Sequence, residues 1–588
     1  MKKSPSRRLF ILVPAVACLI LFLNLFPAFQ AQRSRPANPA QSNPGKPRLI
    51  LLIAVDQFRY DYLERFGDLF GQNGLRRLMR GGASWEQAHY DHTPTYTAPG
   101  HATMMTGAFP SQSGIIGNEW LDRATGRRVT SVSDGTVKLL GGGTNESAAS
   151  PRRLLTSTVG DELRLSTNDR SKVIGISVKD RSAILPAGRH ANAAYWFSVP
   201  SGNMVSSTYY FEQLPNWVVE FNRQRPADKF FGARWVRLLP ESEYVNRAGA
   251  DSPTWENIGK IAGDSNAFPH IITGGLTAPG QAFYNALDYS PFSNDLLLSF
   301  AEQAIANESL GQDQYPDLLS VSFSANDYVG HRFGPYSHEV MDITLRVDRQ
   351  IAALLNLVDT KIGLANTIIV FTADHGVAPI PEHAAALGLD GARLRAEDIL
   401  GAVRTAISAT YNSKGVSPDP TGDYLLKSDS GGAPRDVFIN GNIYFNYAAL
   451  KRDGVNLEEI ARLAGEAALK VRGTARYFTR GQLESGTLAN SGPIERRVSH
   501  GFHPLRSGDV VIISDAYKYL SDTIPATHGT PYSYDTHVPI IIMGPGINPA
   551  RYYQPASPAD IAPTVSALMG STPPSNATGR VLTEAIRR

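Results

Sequence analysis

Four times along this chain a short, mainly apolar run without a charged residue, continuous in Leu49–Val55, gives way to a charged residue. Leu49–Val55 ends at Asp56, Val173–Val178 at Lys179, Leu318–Phe323 is followed shortly by Asp327, and Thr367–Phe371 by Asp374. A strand without polar alternation must be covered on both faces, which is the situation of a parallel strand in a helix-flanked sheet. Helical patterns fill the intervals. Val340, Ile343, Val347, Ile351, Leu354 and Val358 recur at helical spacing and predict a crossover helix from Ser337 to about Lys361. Tyr62–Arg80 reads as another helix, closed by Gly81-Gly82, Val538–Met543 as a further strand, and Ile561–Met569 as a closing helix with Asp560 as its cap. The expected fold class is therefore α/β, with a central, mostly parallel sheet flanked by helices. At 588 residues, 42% hydrophobic and 19% charged, the chain is too apolar to be disordered, and collagen-like, coiled-coil and multi-span membrane architectures are excluded.

Two regions break the rhythm. Residues 188–315 are aromatic-rich and irregular, and residues 385–507 contain a Gly/Ser/Asp loop near 420–434. Both are read as cap insertions on a single catalytic domain spanning 47–588. Ahead of it, residues 1–31 combine a basic start (Lys2, Lys3, Arg7, Arg8) with the apolar Leu9–Phe29, the pattern of a signal peptide or N-terminal anchor. Ser6-Arg7-Arg8-Leu9-Phe10 resembles a twin-arginine signal, whereas the strong hydrophobicity of the segment favours the general secretory route or an uncleaved anchor. Acylation at Cys18 is weaker, since apolar residues run straight past it. Residues 32–46, rich in Pro, Ser, Asn and Ala, read as a flexible linker. The catalytic part is thus expected in the periplasm or secreted, with membrane contact only through an uncleaved N-terminus. Setting the four basic residues of the leader aside brings the net charge of +3 to about −1, so the basic balance carries no implication of nucleic-acid binding. The one cysteine, Cys18, lies in the leader, which leaves the rest without disulfides or thiolate ligands. A monomer is expected.

Polar residues gather just beyond the C-terminal ends of the proposed strands, the edge where open α/β sheets bind ligands. They are Asp56, then Asp327 and His331 in Asp327-x3-His331, then Asp374-His375, and finally His528 in Thr527-His528-Gly529. Six Asp and His side chains make two sites of three protein ligands each, the arrangement of catalytic rather than structural zinc. Each piece alone is a common loop feature, and the order of all of them together carries the reading. The remaining ten histidines, His101 among them, read as surface or packing residues. Thr97 is the nucleophile candidate. Pro99 suits the first turn of a helix through Met104-Met105, which places Thr97 at a helix N-terminus where an anion is favoured. A Thr hydroxyl is a poor nucleophile until coordination to a dication lowers its pKa. Lys179 and Arg181, two apart, would point to one side if the chain is extended there.

At these residues the sequence resembles the alkaline phosphatase superfamily, over most of 48–570. It is similar in particular to the PafA-type, phosphate-irrepressible bacterial alkaline phosphatases, through Gly114–Trp120, Lys179–Gly188 and the aromatic segment Ala194–Phe221. That resemblance implies two Zn²⁺ per chain, one held by Asp56, Asp374, His375 and the Thr97 oxygen, the other by Asp327, His331 and His528. It implies a phosphothreonine intermediate at Thr97. Asn118, Lys179 and Arg181 would then contact the phosphoryl oxygens of small phosphate monoesters, with Lys179 able to replace the charge of a third, magnesium site. A sulfatase would need a Cys or Ser where Thr97 stands. A type I phosphodiesterase or nucleotide pyrophosphatase also uses a Thr nucleophile and two zincs, and is the alternative reading. Two cations aimed at the phosphate favour the monoester. A catalytically dead phosphate-binding relative would usually have lost a ligand or the nucleophile, and here all are present.

Overall fold

The computed structural model of the chain describes residues 46–251, 253–257, 265–413, 424–428, 435–521 and 524–587. The expected signal 1–31, linker 32–46 apart from its last residue, and most of the 420–434 loop lie outside the described residues. Among the described residues no helix is long and apolar enough to cross a membrane.

The Leu49–Val55 strand lies near the middle of a ten-stranded sheet. It pairs in parallel with Asp317–Phe323 on one side and Thr367–Thr372 on the other, with Val55 opposite Phe323 and Ala54 opposite Thr372. Val173–Ser177 pairs in parallel with Asp317–Phe323, Ser177 facing Ser322. These registers bring four strand ends level at one edge. All seven side chains of Leu49–Val55 are buried, and they alternate between two cores. Leu49, Leu51, Ile53 and Val55 join the apolar stripe of the His338–Lys361 helix, and Ile50, Leu52 and Ala54 join Met104, Met105 and the Ile561–Met569 helix. At about 1.5–3 kcal/mol for each fully buried aliphatic side chain, this strand anchors both helical layers.

Several expectations need correction. Val538–Met543 gives a strand, Ile540–Met543, but it runs antiparallel to both Thr367–Thr372 and Ala83–Ala88. Tyr62–Arg80 is two short helices, Asp61–Arg65 and Leu75–Gly81. The break is held by Asp348 of the long helix, whose carboxylate accepts from Gly71 N and Leu75 N at 2.7 Å each, and a Cβ on Gly74 would collide with it. The closing helix is entered through the turn Pro558–Asp560, capped by Ser557; Asp560 instead accepts from the Ser557 and Arg580 amides.

Residues 188–315 begin as part of the sheet and not as an insertion. Ala193–Ser198 pairs in parallel with Val173–Ser177 and Asn203–Ser207 follows antiparallel, while buried Tyr195 meets Trp217 and Phe300 edge-on. Residues 385–507 contribute a four-stranded sheet of their own, ordered Phe438–Ile439, Asn442–Ile443, Val510–Ser514 and Thr474–Thr479. It packs on the helices Ala396–Ser413 and Leu457–Leu469, and Val510–Ser514 carries this body a little past the expected boundary.

Candidate active site

At the level strand ends, Asp56 follows Val55 directly, Asp374 and His375 follow Thr372 after one alanine, and Asp327 and His331 lie on one face of the helix Ala325–Phe333. His528 arrives from a loop far along the chain. Donor atoms of Asp56, Asp374 and His375 lie within 4.8 Å of one another, and so do those of Asp327, His331 and His528. Thr97 opens the buried helix Thr97–Thr106, and its Oγ1 stands 3.4 Å from His375 Nε2. Gly100 permits the approach, since a Cβ there would collide with the Asp374 carbonyl oxygen.

These donors fit a pair of dications. Each imidazole is oriented by its outer nitrogen: Nδ1–H donates to a backbone carbonyl, His331 to Ala526 (2.7 Å), His375 to Gly376 (2.9 Å) and His528 to Thr95 (2.7 Å). A carbonyl can only accept, so Nε2 is left with its lone pair facing the cluster. Asp56 Oδ1 and Asp374 Oδ2 are buried and accept no hydrogen bond. Three buried carboxylates face a single ammonium, an imbalance that positive charge must relieve. Burial and the carboxylates of Asp327 and Asp374 push Asp56 well up, against the pull of Lys179. Burial, together with His375 and His331, holds His528 well below the ordinary imidazole value, in the neutral form a ligand requires.

Lys179, two residues past the strand Val173–Ser177, reaches into this cluster. Its Nζ donates to Asp56 Oδ2 at 2.7 Å and to Asp327 Oδ2 at 2.5 Å, and it faces the Tyr328 ring 4.9 Å from the centroid. Burial opposes the charge, but Asp327 and Asp56 hold the ammonium well above its usual pKa. The extended Lys179–Arg181 pairing does not occur. Lys179 itself is extended, but the helix Asp180–Ala187 starts immediately after it, and Arg181 lies in the first turn. The Arg181 side chain keeps 28% of its surface open, with Nη1 3.8 Å from Asp180 Oδ1 and a buried Nε without a partner. Asn118 accepts the Ala98 amide at its Oδ1 (2.9 Å), which ties it to the start of the Thr97 helix and leaves its NH₂ to donate elsewhere.

Two residues that the sequence reading did not assign to the site hold the cluster together. Gln57, at φ 64°, donates its backbone N–H to Asp374 Oδ1 and its side-chain amide to Asp327 Oδ1 at 2.6 Å, linking the two triads. A non-glycine residue in that conformation next to a ligand is a known mark of functional sites. His101 is fully buried and not a mere packing residue: Nδ1 lies 2.9 Å from Thr97 O and 3.3 Å from Asp374 Oδ2, and Nε2 lies 2.8 Å from Ser322 Oγ. Its i+4 position from Thr97 was the available signal. Replacing His101 by Ala is expected to weaken metal retention about 10- to 100-fold in a chelator competition, the usual cost of removing a partner behind the ligands.

Residues 50–519 match the type I phosphodiesterase / nucleotide pyrophosphatase family, and the chain belongs to it. Within that family its kinship is with the alkaline phosphatases of the PafA type. Alkaline phosphatase PhoV of Synechococcus elongatus is 35% identical over 97% of this chain and 99% of its own length. Alkaline phosphatase PafA of Elizabethkingia meningoseptica is 34% identical over 92% of this chain and 95% of its own. The crystal structure of wild-type alkaline phosphatase PafA matches with a TM-score of 0.82 at 33% identity, covering 92% of this chain and 99% of that one.

Proposed function

We propose that the chain is an exported di-zinc phosphatase that hydrolyses phosphate monoesters through a phosphothreonine at Thr97. The observation that carries it is the Thr97 hydroxyl at a buried helix start, 3.4 Å from His375 Nε2 and beside two Asp/His triads. Asp56, Asp374 and His375 would hold one zinc and Asp327, His331 and His528 the other. Bound there, the ions would lower the pKa of the Thr97 hydroxyl and balance charge on the departing oxygen.

The chain's own residues supply the rest. The helix N-terminus and the Asn118 NH₂ favour the phosphoryl oxygens, and Arg181 offers a forked donor from the adjoining helix. Thr97 Oγ1, having given its proton to solvent, forms a bond to phosphorus as the bond to the ester oxygen breaks, and that oxygen takes a proton from solvent and leaves as the alcohol. Water then attacks the phosphothreonine, returns Thr97 and releases inorganic phosphate. Lys179, bound to both Asp56 and Asp327, keeps the carboxylates in place and adds a fixed positive charge. Export is supported by the basic and apolar leader of residues 1–31.

The family match favours diester hydrolysis as a second reading. A comparison of kcat/KM for matched monoester, diester and sulfate ester separates them, with the monoester expected to lead. Arg181→Ala is expected to lower monoester kcat/KM on the order of 10²-fold, the size of a lost transition-state donor. The diester should lose much less, because its second ester group occupies an oxygen the guanidinium would reach. Equal losses on both substrates would return the case to the phosphodiesterase.

A further inference from the structure

We infer that the small-sheet body formed mainly by residues 385–507 acts on catalysis by fixing Asn118, with Asn440 as the positioning residue; this rests on the role given to Asn118 above. Asn118 stands between the irregular stretch Gly114–Gly117 and the hairpin of Glu119–Asp122 with Arg127–Thr130. One anchor, from Ala98 N, comes from the core. A second, Ser131 N donating to Asn118 O at 2.9 Å, comes from just past the hairpin, and the rest come from the small-sheet body. Asn440 Nδ2 donates to Glu119 O at 2.8 Å, one residue beyond Asn118. Arg506 donates to the carbonyls of Gly114 and Arg153 and lies over the Trp120 ring, 5.0 Å from its centroid. Buried Leu121 packs with Val437, Ile439 and Tyr444.

Asn440 suits the task because it cannot move much. Asn440 and Gly441, with φ of 53° and 76°, form the two-residue turn joining Phe438–Ile439 to Asn442–Ile443. Asn-Gly is the pair that a tight turn of this hand prefers, so the tip is rigid. The fit against the Asn118 loop is close as well, since a Cβ on Gly117 would collide with the Asn440 amide. Losing the Asn440 donor frees the Glu119 carbonyl, one residue beyond Asn118, and loosens the aim of the Asn118 NH₂ on the side of the small-sheet body.

The test is a double-mutant cycle on the full, zinc-loaded chain with p-nitrophenyl phosphate. Asn440→Asp keeps the size and tolerates the left-handed backbone but cannot donate, and Asn440→Gly keeps the turn and removes the amide. Each should lower kcat/KM about tenfold in the wild-type background, by misplacement of a group near the reacting centre. In the Asn118→Ala background each should change it less than about twofold, with zinc content and melting temperature close to the parent. The same loss in both backgrounds, or no loss in either Asn440 variant, would overturn the inference. A wild-type rate in Asn118→Ala alone would instead remove Asn118 from the site, and the inference with it.

Discussion

Thr97→Ala is expected to keep both metals and to lose monoester turnover by a factor on the order of 10³ or more, since the covalent route disappears with the hydroxyl. The structure makes the separation of binding from turnover a sharp one. The carboxylates and imidazoles of both triads are positioned by groups other than the Thr97 hydroxyl: Gln57, His101, Lys179 and the carbonyls of Ala526, Gly376 and Thr95. His101 bonds the Thr97 carbonyl, which alanine retains. Zinc per chain by elemental analysis and kcat for p-nitrophenyl phosphate check the two halves. Near-normal turnover by this variant would exclude the phosphothreonine route.

Asp327→Ala is expected to empty one metal site, leave the other partly filled and abolish most activity. Its carboxylate meets the buried Lys179 Nζ and Gln57 amide and the partly exposed His331 Nε2. Removing it leaves an ammonium with one partner in place of two and an amide donor with none, at a cost of about 1–3 kcal/mol for each unsatisfied group. A ligand that binds only the folded chain contributes about 2.7 kcal/mol at a hundredfold excess over its Kd, and that contribution is lost as well. The melting temperature should therefore fall even in excess zinc, and further than in His331→Ala, which leaves the Lys179 contacts intact. Two zincs per chain in both variants would mean that Asp327 and His331 are not ligands.

The strands were legible because their burial on both faces leaves no charged residue inside the runs, and the charged residues stand out where the runs stop. The same property hid the direction of Ile540–Met543: an antiparallel strand covered on both faces reads like a parallel one. Thr97 could be placed from Pro99 and the residues after it. Arg181 could not, because Pro186 argues against a helix across Asp180–Ala187 and only the packed structure accommodates it. Gln57 and Asn440, and His101 in its contacts with Ser322 and Asp374, act through partners more than 200 residues away, and no local pattern carries such contacts. The Asn-Gly pair at Asn440 announces a turn but says nothing about what the turn presses against.

The ring of His528, whose Nδ1–H is held by Thr95 O, reaches the site from beyond the small-sheet body, when about nine tenths of the chain has already passed. A polypeptide emerging from the ribosome therefore carries the first triad, the threonine and two members of the second triad long before the last ligand exists. The pairing of Thr95 with His528 is among the most distant in sequence that the site contains, and such closures come late in folding. On the proposed assignment, metal uptake by the second triad would be one of the final events of maturation, and a chain cut short before His528 would be left with a single complete triad.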